Sequence, residues 1–244
     1  MNIEPILLTA TNVLTFEGKR RLTNASGFFF ERADRLFLVT SLHVLMDKAA
    51  KHFPDRIEIE LHTNPQNLAD STGFSIPLYR DGMAIWRQAT DTAGQVDIAV
   101  IELDREAMPK PSVYRAFTPA HLLLETDRVE VGMSLLVVGF PLGFHDSLHH
   151  MPVVRQAIIA SSFGLRFQGE GYFLTDARMH RGTSGSPVVL RAGGKENLPG
   201  DLDWKLLGIH SARLDVGSRD LQLDEALGLN CAWYADILLT LTER

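Results

Sequence analysis

A single cysteine, Cys231, in 244 residues excludes an internal disulfide and the stapled framework common in secreted domains. Set among Leu229, Ala232 and Trp233, it reads as a buried structural thiol rather than a reactive one. No apolar run approaches the ~20 residues a bilayer-spanning helix needs, and Met1-Asn2-Ile3-Glu4-Pro5 lacks the basic segment and cleavage site of a signal peptide. A basic surplus is missing too: 24 Lys and Arg against 30 Asp and Glu leave a net charge of −6, so no positive field awaits a phosphate backbone. Repeats and low-complexity tracts are also lacking. These absences lead us to expect a cytoplasmic protein that binds neither nucleic acid nor membrane. With 45% hydrophobic and 22% charged residues, the chain has enough apolar material for one large all-β domain or two small ones.

Short apolar runs broken by Gly, Pro, Asn and Asp dominate the sequence. They are Ile6 to Phe16, Gly27 to Glu31, Leu36 to Thr40, Ile57 to His62, Asp97 to Leu103, Ser134 to Gly139, Val153 to Ser161, Gly171 to Thr175, Pro187 to Leu190 and Leu206 to Ser211. Their lengths fit strands of a double barrel, with residues 1–104 as the first half and 120–225 as the second. The Pro-rich stretch 105–119 reads as the crossover between them, so a site built from both halves would lie in the cleft between. Helical spacing predicts a turn or two after His43 and a helix from Asp224 or Cys231 through Thr242, so that 226–244 is set apart as a C-terminal helix. Residues 64–91 and 191–203, rich in Gly, Pro, Asn and Asp, read as plain solvated surface loops, with shaping of a cleft or docking of a partner as the alternative.

The chemistry concentrates at Gly182-Thr183-Ser184-Gly185-Ser186-Pro187, a serine between glycines in a turn whose dihedrals a Cβ would hinder. Such a turn lets the N–H groups of Gly182 and Ser184 converge beside the Ser184 hydroxyl as an oxyanion hole. A serine nucleophile needs a base and an orienting carboxylate. His43 stands at the exit of the apolar run Phe37 to Thr40, and Asp97 heads Asp97-Ile98-Ala99-Val100-Ile101. The chain order His, Asp, Ser is that of the chymotrypsin type. The α/β-hydrolase elbow, G-x-S-x-G, is excluded by Ser186.

Several blocks together resemble the trypsin-like serine peptidases, nearest to the bacterial HtrA-like and glutamyl-endopeptidase branches. They are Asn24-Ala25-Ser26-Gly27-Phe28, Thr40-Ser41-Leu42-His43-Val44, Asp97-Ile98-Ala99-Val100, Val138-Gly139-Phe140-Pro141-Leu142-Gly143, Leu174-Thr175-Asp176-Ala177, the Ser184 turn, and Leu207-Gly208-Ile209-His210-Ser211. Ser41-Leu42 departs from the small pair usual before the histidine. The resemblance implies an all-β fold of two six-stranded antiparallel barrels with a C-terminal helix, and endopeptidase activity through an acyl-enzyme with His43, Asp97 and Ser184 as the triad. It implies a substrate-pairing edge at Ser211-Ala212-Arg213, and at His210 a reader of Glu or Gln at the residue before the scissile bond. Arg178, His180 and Arg181 add positive charge suited to an acidic partner, whereas Met179 stands where glutamyl enzymes carry a hydroxyl. Small or apolar residues are the competing preference.

The expected partner is a peptide or protein substrate, and no cofactor is expected. His145, His149 and His150 lack further ligands at metal-site spacing, so an exposed loop is expected there and no metal. No propeptide junction stands out, so activity without proteolytic maturation is expected. A catalytically silent or gated peptide-binding member is the alternative from another class, and an esterase using the same triad is a third. No PDZ-like or sensor domain is legible after the barrels, so control would come from narrow specificity or from a regulatory partner.

Overall fold

The computed structural model describes residues 3–124, 128–192, 202–211 and 228–243. A 3-10 turn, Pro5–Thr9, leads into β1 (Ala10–Glu17), β2 (Arg20–Arg32) and β3 (Arg35–Thr40), followed by the single-turn helix α1 (Leu42–Leu45). The first half continues with β4 (Arg56–His62), β5 (Ser71–Pro77), the short strands β6 (Tyr79–Arg80) and β7 (Met83–Ala84), β8 (Arg87–Asp91) and β9 (Gly94–Leu103). The second half comprises β10 (Ser134–Gly139), β11 (Val153–Ile159), β12 (Tyr172–Asp176), β13 (Pro187–Arg191), β14 (Trp204–Ser211) and β15 (Leu229–Tyr234), and ends in helix α2 (Ile237–Leu241). Antiparallel pairing gives a seven-stranded sheet in the order β5-β4-β1-β2-β3-β9-β8 and a closed six-stranded barrel in the order β10-β11-β12-β15-β14-β13.

The apolar runs are continuous rather than alternating because their strands are buried on both faces. In β3, Leu36 and Leu38 enter the core of the first half with Val13, Ile57 and Ile101. Phe37 and Val39 point the other way, into a core that lies between the halves. β2 divides likewise, with Phe29 inward and Phe28 and Phe30 between the halves. From the second half, Leu174, Val189, Ile209 and Trp233 complete that shared core, while Val137, Phe173, Val188 and Leu207 fill the second barrel. The halves are thus joined by packed side chains, not only by the crossover. That crossover lies along the first half, where the Phe117 N–H donates to Phe29 and the Phe117 carbonyl accepts from Glu31.

The all-β architecture is as expected, and each expected run carries a strand, although Ile6 to Thr9 of the first run form a 3-10 turn instead. Three expectations need correction. Residues 64–91, read as a loop, supply β5 and β8 at the two edges of the first sheet, making seven strands where six were expected. Both are edge strands whose residues are largely exposed, so they lack the continuous apolar runs by which the other strands were read. The predicted C-terminal helix is confined to Ile237–Leu241. Cys231 to Tyr234 belongs to β15, where Asn230 to Trp233 are all buried and no polar face interrupts the pattern. The second barrel therefore extends past 225, to Tyr234. Residues 193–201 of the other expected loop lie outside the described residues.

Candidate active site

α1 begins directly after β3, and its apolar residues Leu42, Val44 and Leu45 are buried, which turns His43 to the side where its imidazole stays partly exposed. β9 runs beside β3 with Thr40 opposite Ala99, so Asp97, two residues earlier, reaches the start of α1. Its carboxylate is held three ways: Oδ2 accepts the His43 Nδ1–H at 2.7 Å and the Ser211 hydroxyl at 2.8 Å, and Oδ1 accepts the His43 backbone N–H at 2.9 Å. A carboxylate only accepts, so the proton sits on Nδ1 and Nε2 presents its lone pair. Ser211 lies at the end of β14, so the second barrel takes part in orienting a histidine carried by the first.

The Ser184 turn is defined peptide by peptide. The Arg181 carbonyl accepts the Leu142 N–H at 2.6 Å, the Gly182 carbonyl accepts the Ser26 hydroxyl at 2.8 Å, the Thr183 carbonyl accepts the Ser186 N–H at 3.0 Å, and the Ser184 carbonyl accepts the Ser26 N–H at 2.9 Å. The Thr183 N–H donates to His180, and the Gly185 N–H donates to the His210 carbonyl at 2.8 Å. Among the described residues, the N–H groups of Gly182 and Ser184 have no protein acceptor. Because N–H and C=O of a trans peptide point oppositely, anchoring the Arg181 and Thr183 carbonyls aims these two N–H groups to the other side.

Gly182 (φ +94°) and Gly185 (φ +86°) take left-handed dihedrals. Space also demands them: a Cβ at 185 would stand 2.2 Å from the Ser26 carbonyl oxygen and 2.4 Å from Thr40 Oγ1. The turn is thereby pressed onto β2 and β3. Ser41 and Gly185 donate to the same carbonyl, that of His210, which brings the segments bearing His43 and Ser184 together.

His210 is fully buried, and among the described residues neither ring nitrogen has a partner. Burial, with the charge of His43 second, lowers its pKa to about 3, so the ring is neutral at ordinary pH. The Ser211 side chain turns to Asp97, to which its hydroxyl donates. Met179 is likewise not on an open cleft wall, since its apolar side chain packs with Ala177, Val188 and Leu207 inside the second barrel. Arg178 is exposed, and its carbonyl accepts from Arg155. Ala212 and Arg213 lie outside the described residues.

Sequence reading missed the contacts that Ser26 and Leu142 make with the Ser184 turn, because the bond from Ser26 to Gly182 spans 156 positions and no local pattern announces it. In the 141–151 loop, His149 Nδ1 pairs with Asp146 at 2.7 Å, lowering the Asp146 pKa, and the rings of His145 and His150 stack at 6.1 Å. No three His, Cys, Asp or Glu side chains among the described residues are grouped to hold a metal ion, and no helix among them is long and apolar enough to cross a membrane.

The profile of the trypsin-like peptidase domain matches residues 25–195, which include His43, Asp97 and Ser184. The chain belongs to this family. Serine protease HTRA1A of Danio rerio is 24% identical over 199 residues, covering 82% of this chain but 32% of the relative. The crystal structure of the serine endoprotease from Yersinia pestis superposes with a TM-score of 0.55 at 16% identity, covering 97% of this chain and 62% of that one. The family fold, a chymotrypsin-like pair of β-barrel halves, is therefore shared. The chain spans about a third of the zebrafish relative and less than two thirds of the bacterial one.

Proposed function

We propose that this chain is a serine endopeptidase. Ser184 Oγ attacks the peptide carbonyl while His43 Nε2 takes its proton, and the resulting oxyanion is held by the N–H groups of Gly182 and Ser184. His43 returns the proton to the departing amine, leaving an acyl ester on Ser184. Water then attacks that ester with His43 again as base, releasing the acid and restoring the hydroxyl. Asp97 keeps the imidazole tautomer throughout. One observation carries the reading: in a turn whose peptides are otherwise tied, the two N–H groups flanking the serine are those left without an acceptor, in a molecule where Asp97 already orients His43 at 2.7 Å. Each such donor is worth about 10²–10³ in rate.

The substrate is a peptide or protein, and the residue before the scissile bond is Glu or Gln. His210 supports this preference, since its neutral ring offers one donor and one acceptor that no group among the described residues uses. Cleavage sites mapped by mass spectrometry in a proteome-derived peptide library test both parts. Wild type is expected to cut after Glu or Gln, and Ser184→Ala to lose turnover by on the order of 10⁶-fold with the fold intact. Cuts after Lys or Arg would remove His210 from recognition, serine-independent cuts would remove Ser184 from catalysis, and no cuts at all would favour a peptide-binding role.

A further inference from the structure

We infer that Ser26 is a positioning residue for the oxyanion turn, acting from the opposite half of the molecule. This rests on the proposed role of Ser184. Ser26 lies in β2 and is completely buried. Its hydroxyl accepts the Phe140 N–H at 2.9 Å, which leaves its one proton for the Gly182 carbonyl at 2.8 Å. Its backbone N–H holds the Ser184 carbonyl at 2.9 Å, and its own carbonyl is fixed by Thr40 Oγ1 at 2.8 Å.

These bonds have a mechanical consequence. Gly182 is the pivot of the turn, since a glycine there can rotate either of its flanking peptides at little cost. The peptide on its N-terminal side is stopped by Leu142, and the one on its C-terminal side by Ser26 at 2.8 Å and by the longer 3.3 Å bond from the Thr183 N–H to the His180 carbonyl. The two stops are coupled, because the hydroxyl that holds Gly182 also holds Phe140, two residues before Leu142. Losing that hydroxyl frees the Gly182 carbonyl and loosens the 140–142 turn at once. Both Gly182 peptides could then rotate, and the Gly182 N–H would cease to point where charge develops in the transition state. Ser26 touches no reacting atom, and its effect passes entirely through the direction of that N–H. The inference also implies that the donors are aimed before any substrate or activator arrives.

The test separates oxyanion stabilisation from ordinary substrate binding. Labelling of Ser184 by a fluorophosphonate and affinity for phenylboronic acid both place an oxygen at the oxyanion position. Ser26→Ala is expected to lower each at least tenfold, while the affinity of fluorescein-labelled casein, measured in the Ser184→Ala background, changes less than twofold. Thr9→Ala, which removes another buried hydroxyl, bonded to the Ile6 carbonyl at 2.7 Å, is expected to leave the labelling rate unchanged. Should Ser26→Ala fail to give a native circular-dichroism spectrum, Ser26→Cys, of similar size but a weak donor, carries the same test with a severalfold loss expected. Labelling at the wild-type rate in the folded variant, or an equal loss of casein affinity, would overturn the inference. Wild-type protein that is not labelled at Ser184 would instead overturn the nucleophile, a distinguishable failure.

Discussion

At the scale of single residues, a buried imidazole with no partner among the described residues carries a free-energy consequence that acidity exposes. The folded-state pKa of His210 is about 3 against 6.5 in the open chain, because burial disfavours the charged ring. The unfolded chain therefore takes up a proton first. The stabilisation is fully present above pH 6.5 and is lost as pH falls toward 3, at about 1.4 kcal/mol per unit. His62, also lowered chiefly by burial, acts in the same direction. His210→Leu is expected to unfold with a shallower acid dependence than wild type, the difference in stability shifting toward the variant at each step below pH 6.5. Parallel denaturation curves at pH 7, 6, 5 and 4 would refute this assignment. His210 was legible in the sequence as a residue of an apolar strand, Leu206 to Ser211. Its isolation was not, since that depends on which groups the fold leaves around it.

At the scale of elements, the Ser184 turn and β2–β3 are one joint, and glycine is what allows them to close. Gly185→Ala combines a left-handed φ with a Cβ 2.2 Å from the Ser26 carbonyl, a contact that rotamer changes cannot relieve because the obstructing atom is backbone. The expected loss is ~2–4 kcal/mol of stability together with at least a hundredfold drop in peptide turnover. Gly164→Ala, where nothing lies within 4 Å, is expected to stay within about 0.5 kcal/mol of wild type and serves as the comparison in thermal unfolding. Strands such as β3 and β9 were readable because their residues are apolar on both faces, whereas β5 and β8 were not, because an edge strand is recruited by ladder hydrogen bonds that any sequence supplies. β15 was mistaken for helix because a short run buried on every side has no face to reveal its period.

At the scale of the whole molecule, the halves share a core and are strapped by the C-terminal segment. Leu238 and Leu241 are buried in the cluster that contains Phe28, Phe37 and Phe117 of the first half and Trp233 of the second. Arg32 donates to the Leu239 carbonyl, Arg35 to that of Thr242 at 3.3 Å and Arg87 to that of Glu243 at 2.5 Å, so first-half arginines hold the final carbonyls of a chain arriving from the second half. Leu238→Ala is expected to cost about 2–5 kcal/mol. It should lower turnover more than it lowers helicity, because the Asp97–Ser211 bond crosses the same junction. Calorimetry should show a single transition for wild type, and two resolved transitions would mean that the halves fold independently.

The sequence by itself determined the composition of the cores and the strands buried on both faces, and it singled out His43, Asp97 and Ser184 as candidates, because burial and nucleophilic chemistry each demand particular side chains at particular places along the chain. Only the tertiary structure decided that Ser211 serves Asp97, that Met179 belongs to the core, and that Ser26 and Leu142 hold the turn. Those roles arise from hydrogen bonds between backbone groups and short hydroxyls of distant segments, which nearly every residue can offer and which become selective only when the fold brings two of them within 3 Å.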